Sequence, residues 1–337
     1  MKDNLRILAL RTLISAALLV TAFVLEPSCR AEFKVALVLD RGGKDDKSFN
    51  TSAFLGADRA REKLGISLKY IEATDDNAYD SIFRSFARKD FDLMIGVGFA
   101  QKEAVQKVAA QFPNKSFAIV DSEVNLPNVR SLMFEEHEGA YLVGAIAAMA
   151  SKSKKIGIIG GMDIPLIRRF VMGYEAGAKK VDPASRVIVN FVGITGEAWN
   201  NSPKAKELAL AQFSGGAEVV FAAAGASNFG VFDAAEERRR LAIGVDSNQN
   251  WTKPGFILTS MIKRVDEAVY STIQEAQSGK LQGGVRKFGL SNQGIGYAVD
   301  QYNDKLFTAE MRTKVEELKR DILSGKIVVP DFYKIRQ

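Results

Sequence analysis

The chain has 337 residues, 47% of them apolar, and a net charge of +6, too long for one ordinary core and suited to two lobes of roughly 120 to 150 residues each. Its first 31 residues carry +2, from Lys2, Arg6, Arg11 and Arg30 against Asp3 and Glu26, which leaves +4 dispersed over the rest. Nucleic acid is not expected as a partner, because the one dense basic run, Arg238 to Arg240, sits beside Glu236 and Glu237 on a helical pattern rather than on a basic face.

A basic start, an apolar stretch from Leu13 to Leu25 and the small residues after it outline a secretory signal peptide over residues 1–31, too short for a membrane span. The mature protein is expected to be exported. Two cleavage readings compete: an ordinary signal peptidase cutting before Glu32, or lipoprotein processing before Cys29, against which Glu26 stands where such signals carry an apolar residue. Cys29 is the only cysteine, so no disulfide forms within the chain.

Beyond the leader, one phrase recurs: an apolar strand ending in Gly or Asp, then an amphipathic helix. Four strands are predicted in the first half, at 33–40, 67–73, 91–98 and 116–121, and four in the second, at 155–161, 186–193, 218–225 and 241–246, with a further strand at 257–262. Near-continuous Val, Ile and Leu alternating with helices predicts an α/β chain of two doubly wound parallel-sheet lobes with a cleft between them. Crossovers are expected at Gly139–Ser151, Gly255–Ser260 and Gly283–Gly296. They give an N-terminal lobe of 32–145 plus 257–285 and a C-terminal lobe of 146–256 plus 286–337, joined by a three-crossing hinge that favours closure.

In open parallel sheets the ligand lies beyond the carboxyl ends of the strands. That rule selects Asp40, Gly42, Gly43, Thr74, Asp75, Gly96 to Gln101, Asp121 and Ser122 from the first lobe. From the second it selects Gly160 to Asp163, Gly193 to Asn201, Ala224 to Asn228 and Asp246 to Gln249. Carboxylates, amides and rings dominate, as for a polar, planar ligand. Asp46 or Ser48 can cap the helix that opens there and runs to about Leu64, yet capping does not account for Phe49 and Asn50 in its first turn. Phe49 could stack on a flat ligand while Asn50 supplies a donor and an acceptor. Trp199, in the loop Gly196 to Pro203, is either a half-buried loop residue or a second ring from the opposite lobe, completing a sandwich into which a nucleobase fits. Asp246 and Lys263 could hold the vicinal hydroxyls of a sugar, or form only an interlobe ion pair.

The segments 42–50 (GGKDDKSFN), 95–99 (IGVGF), 117–121 (FAIVD), 138–148 (EGAYLVGAIAA), 159–177 (IGGMDIPLIRRFVMGYEAG), 203–209 (PKAKELA), 223–232 (AAGASNFGVF), 244–249 (GVDSNQ) and 260–264 (SMIKR) resemble, in order, the basic membrane protein family. These are the PnrA-like or TmpC-like substrate-binding proteins of ABC importers, and the resemblance covers about Phe33 to Gly296. It implies a type I periplasmic-binding-protein fold and a purine nucleoside ligand such as adenosine, guanosine or inosine. It also implies an ABC permease as partner and a monomer. The stacking rings fall on Phe49 and Trp199, the base-recognising Asp on Asp121, the motif Asn on Asn50, the ribose-binding pair on Asp246 and Lys263, and Gly225 on the turn where backbone approaches the sugar. Gly98 ends the third strand at the same mouth. The loop Trp199-Asn200-Asn201-Ser202-Pro203 departs from the family's aromatic, one residue, then Asp-Pro, and His137 reads as a surface substitution in a Glu-rich stretch.

Enzymatic readings find little support. No Walker A loop and no dinucleotide fingerprint is present, and one His with one Cys leaves no zinc cluster and hardly any nucleophilic system. The remaining alternatives are an exported signalling module with a similar ligand and a carboxylate nucleoside hydrolase built on Asp46, Asp121 and Asp246.

Overall fold

The computed structural model describes residues 32–73 and 75–335; the expected leader, Cys29 and Thr74 lie outside the described residues. All nine predicted strands form, each within a residue or two of its expected bounds. The first sheet contains β1 (Lys34–Leu39), β2 (Ser67–Glu72), β3 (Leu93–Val97), β4 (Ser116–Val120) and β5 (Val129–Phe134), completed by β11 (Gly284–Phe288) in the order β11-β5-β4-β3-β1-β2, all parallel. The second contains β6 (Lys155–Met162), β7 (Arg186–Gly193), β8 (Val219–Ala223), β9 (Leu241–Asp246), β10 (Ile257–Lys263) and β12 (Ile295–Tyr297), in the order β12-β10-β9-β8-β6-β7. Only β12 runs antiparallel. Central strands such as β3 and β8 are buried along their whole length, as continuous apolar runs covered on both faces require. This is the expected pair of doubly wound α/β lobes.

Helices α1 (Phe49–Leu64), α2 (Tyr79–Ala87) and α3 (Lys102–Gln111) belong to the first half, and α4 (Glu136–Ala150), α5 (Pro165–Val181), α6 (Ser202–Ser214) and α7 (Asn228–Arg238) to the second. They are followed by α8 (Val265–Gln277), α9 (Ala309–Leu323) and the short α10 (Phe332–Ile335). The glycines of the 138–148 and 159–177 segments serve packing. A Cβ on Gly144 would stand 2.1 Å from the Tyr174 carbonyl, and one on Gly177 would stand 1.8 Å from that of Tyr141, so α4 and α5 touch backbone to backbone.

Three crossings connect the sheets, displaced from their expected places. The chain leaves the first sheet between Phe134 and Glu136, because α4 packs on α5 and lies in the second lobe. It returns between Lys263 and Val265, since β10 pairs with β9 in the second sheet, whereas α8 packs on α1, with Gly56 against the Asp266 carbonyl and Arg59 paired with Glu267. The last crossing follows Phe288. Boundaries at 145, 257 and 285 therefore give way to ones near 135, 264 and 289.

Candidate functional site

The carboxyl ends of both sheets face one cleft, lined by Asp40, Asp46, Phe49, Asn50, Gly98, Phe99 and Asp121 from the first lobe. The second contributes Leu166, Ile167, Phe170, Trp199, Gly225, Asp246 and Lys263. The two sheets present matching groups. β4 and β9, third in their respective orders, are completed by Asp121 and Asp246, both at φ 65; β3 and β8 lead to Gly98 and Gly225, at φ 114 and 60.

Sequence at the start of α1 explains its geometry. The Asp46 carboxylate accepts the backbone N–H groups of Ser48, Asn50 and Thr51 at 2.8, 2.8 and 2.9 Å, so Asp46 caps the helix as well as lining the cleft. Asn50 Oδ1 accepts from the Asp40 N–H at 2.9 Å and its Nδ2 donates to the Asp40 carbonyl at 3.3 Å. Its amide thus braces the end of β1 rather than standing free for a ligand. Asp40, with Oδ1 held by the Tyr79 hydroxyl at 2.9 Å, faces Gly98, where a Cβ would lie 2.4 Å from Asp40 Oδ2. Half-buried Phe49 turns its ring to Lys263, whose Nζ is 5.1 Å from the centroid.

Trp199 rides on a 3-10 turn, Gly196–Asn200, and lies so close over Gly161 that a Cβ there would meet its ring at 2.2 Å. It meets Phe99 of the opposite lobe edge to face, 6.3 Å between centroids. Gly225 allows the Trp199 carbonyl to within 3.2 Å of where a Cβ would stand.

The polar end is a set of cross-lobe contacts. Ser48 Oγ donates to Asp246 Oδ2 at 2.5 Å, Ser247 Oγ to the Ser48 carbonyl at 3.0 Å, and Gln249 Nε2 to the Lys47 carbonyl at 3.1 Å. Lys263, 2% exposed, donates to Asp121 Oδ2 at 2.6 Å and pairs with Glu136 Oε1 at 3.2 Å. Asp246 and Lys263 are thus neighbours on adjacent strands of one sheet, and an interlobe pair between them, one of the two expected readings, gives way to Lys263–Asp121 and Asp246–Ser48. Asp121 Oδ1 is buried without a hydrogen-bond partner. Burial pushes the Asp246 carboxyl up to about 7, against the pull of Lys263 and Ser48. Burial alone would lower the Lys263 ammonium's pKa, but Asp121, Glu136 and Asp246 overcome it and keep it charged.

Sequence reasoning missed several contributors. Leu166, Ile167 and Phe170 form an apolar wall in the first turns of α5, legible only as a strand–turn–helix at the mouth. Glu136 and Arg169, 1% and 3% exposed, carry no periodic signal. His137 is 5% exposed and not a surface substitution: its Nδ1 accepts from Arg169 Nη2 at 2.9 Å, and burial, then that guanidinium, keeps the ring neutral. Glu135, His137 and Asp331 converge closely enough to suggest a metal, yet Arg169 donates to all three and supplies the cation itself. Carboxylates, an ammonium and aromatic rings are the groups that can bond hydroxyls and N–H groups and stack on flat rings, and the chain's single histidine is engaged at the hinge.

Known proteins resemble this chain over most of its length. The family model described as ABC transporter substrate-binding protein PnrA-like matches residues 33–332. The chain is 34% identical over 324 residues to the CD4+ T-cell-stimulating antigen of Listeria monocytogenes, covering 89% of this chain and 88% of the relative. It is likewise 34% identical to the ABC transporter nucleoside-binding protein BmpA of Lactococcus lactis, covering 89% and 90%. A crystal structure of ABC transporter solute-binding proteins from Aeropyrum pernix superposes with a TM-score of 0.82 at 30% identity, covering 88% of this chain and 94% of that one. Two lobes, a shared cleft and a match over nearly the whole described length lead to one conclusion: the chain belongs to the PnrA-like family of ABC transporter substrate-binding proteins, which bind and deliver rather than catalyse.

Proposed function

We propose that the ligand is a purine nucleoside, captured in the interlobe cleft outside the cytoplasm and handed to an ABC permease by a monomeric receptor. The carrying observation is the polarity of the cleft: rings of Phe49, Phe99, Phe170 and Trp199 line it, and Asp121, Asp246 and Lys263 gather at one place. A planar base with a hydroxyl-bearing sugar matches both parts, and the Lactococcus relative's name points the same way. Because Asp121 is bonded to Lys263, we assign it to the junction of sugar and base, where its unpartnered Oδ1 accepts a ligand donor. Asp246 and Lys263 then take the ribose hydroxyls. Anchoring would follow from lipidation at Cys29, or release from cleavage before Glu32; among the described residues no helix is long and apolar enough to cross a membrane.

Calorimetric titration of the unfolded and refolded protein with adenosine, guanosine, inosine, cytidine and ribose tests this reading. A purine nucleoside is expected to bind tightly and to be recovered unchanged by chromatography, with binding weakened by Phe49→Ala and Asp246→Ala. Absence of binding to every nucleoside would remove the ligand assignment, and release of free base would make the protein a hydrolase.

A further inference from the structure

Behind the cleft, Lys263 is connected to the C-terminal segment through buried charges. Glu136, the first residue of α4, gives Oε1 to Lys263 at 3.2 Å and Oε2 to Arg169 Nη1. Arg169 Nε donates to Asp331 Oδ1 at 2.7 Å and Nη1 also to the Phe134 carbonyl at 2.5 Å, while the two Nη2 hydrogens are shared among Asp331 Oδ2 at 3.1 Å, Glu135 Oε2 at 2.9 Å and His137 Nδ1 at 2.9 Å. Tyr333 covers its face, with the guanidinium carbon 4.5 Å from the ring centroid. The signs alternate along the line Asp121, Lys263, Glu136, Arg169, Asp331, and each member comes from a different segment: the end of β4, the end of β10, the start of α4, the body of α5 and the approach to α10.

An ammonium has three donors in fixed tetrahedral directions. Asp121 and Glu136 take two of them, which fixes the third, and Lys263 lines the cleft. Without Glu136 the ammonium, held by Asp121 alone, is free to rotate about that bond. We propose that Glu136, Arg169 and Asp331 are positioning residues that aim the Lys263 ammonium at ligand hydroxyls, so that docking of the C-terminal segment sets ligand affinity. This rests on the nucleoside reading above.

The test is a coupling measurement on the full refolded chain, titrating wild type, Glu136→Gln, Asp331→Asn and Asp331→Glu with inosine and with 2′,3′-dideoxyinosine. Glu136→Gln is expected to weaken inosine at least about tenfold, the size of one lost charged hydrogen bond, while leaving the dideoxy compound nearly unchanged. Asp331→Asn is expected to do the same more weakly, with Asp331→Glu restoring most of the loss. If Glu136→Gln does not fold, the Asp331 pair decides alone. Equal weakening of both ligands would reduce the line to general structural support and overturn the inference, as would unchanged affinities. Wild type that binds no nucleoside would overturn this inference and the ligand reading together, whereas wild type that binds with indifferent variants would overturn this one only.

Discussion

Ser48 and Asp246 belong to different lobes, yet Ser48 Oγ stands 2.5 Å from Asp246 Oδ2. Burial in the closed cleft pushes the Asp246 carboxyl from 3.8 up to about 7; Lys263 pulls it down, and Asp46 and Asp121 push with burial. Opening would return the group to water while Lys263 stays beside it on the same sheet, so its pKa would fall back from the raised value. Closing the empty cleft therefore takes up a proton between about pH 4 and 7, so the closed empty form is favoured at low pH and loses that advantage as pH rises through 7, by up to a few kcal/mol. Small-angle scattering of the ligand-free protein is expected to give a smaller radius of gyration at pH 5 than at pH 8, and Asp246→Asn should remove the difference. A pH-independent radius in wild type would exclude this linkage.

Gly98 and Gly255 separate backbone strain from steric conflict. Both have positive φ, 114 and 85, but a Cβ at Gly98 strikes Asp40 Oδ2 at 2.4 Å, whereas at Gly255 nothing lies within 4 Å. Each Ala substitution is expected to cost about 1–3 kcal/mol in thermal unfolding through φ alone. Only Gly98→Ala also displaces the Asp40 carboxylate, and if Asp40 holds the ligand it should weaken ligand binding by about tenfold or more, as for a lost hydrogen bond to a charged group. Equal binding by the two variants would show that Asp40 has no part in holding ligand.

The strands were legible because burial on both faces selects continuous apolar runs such as LMIGV in β3 and VVFAA in β8. Strands β5, β11 and β12 were not: VRSLMF mixes Arg130 into its run, GVRKF is an exposed edge, and three residues of β12 carry no pattern. Crossings were misplaced for a related reason, since glycines that bring α4 and α5 into contact read from sequence as a loose joint. Strand-end logic reached Asp40, Phe99, Asp121, Trp199 and Asp246, whose position follows from topology. It could not reach Arg169, because Arg168 beside it pairs with Asp163 and is partly exposed, and nothing local distinguishes the two.

Arg41 clasps the mouth of the cleft from the first lobe, reaching Asp76 at 3.1 Å and Glu197 of the second lobe, with its stem packed on Gly196. Glu197 is 75% exposed, so the pair is worth about 0–1 kcal/mol and is screened by salt. Arg41→Ala is predicted to speed ligand release by no more than about fivefold in stopped-flow measurements at low ionic strength. The gap from wild type should close in high salt. A larger, salt-insensitive acceleration would mean that the packing on Gly196, and not the charge, holds the mouth shut.

Arg169 is the residue whose loss the fold should tolerate least. It is 3% exposed and answers Glu135, Glu136 and Asp331; burial would raise the Asp331 carboxyl, but the hydrogen bonds and charge of Arg169 hold it below its ordinary value. Replacing it by Met strips buried Asp331 of its cation and leaves buried Glu136 with Lys263 alone, a loss of about 3–5 kcal/mol at neutral pH. Acids stranded in this way have raised pKa values, so the folded state binds more protons than the unfolded one, and stability present at low pH is lost as pH rises. Arg169→Met should therefore show its full deficit in melting temperature at pH 7.5 and a smaller one at pH 5. Adding Asp331→Asn should recover part of the loss at pH 7.5, because it removes one stranded charge. A deficit that is the same at both pH values and unaffected by Asp331→Asn would assign the cost to lost packing against Tyr333 instead.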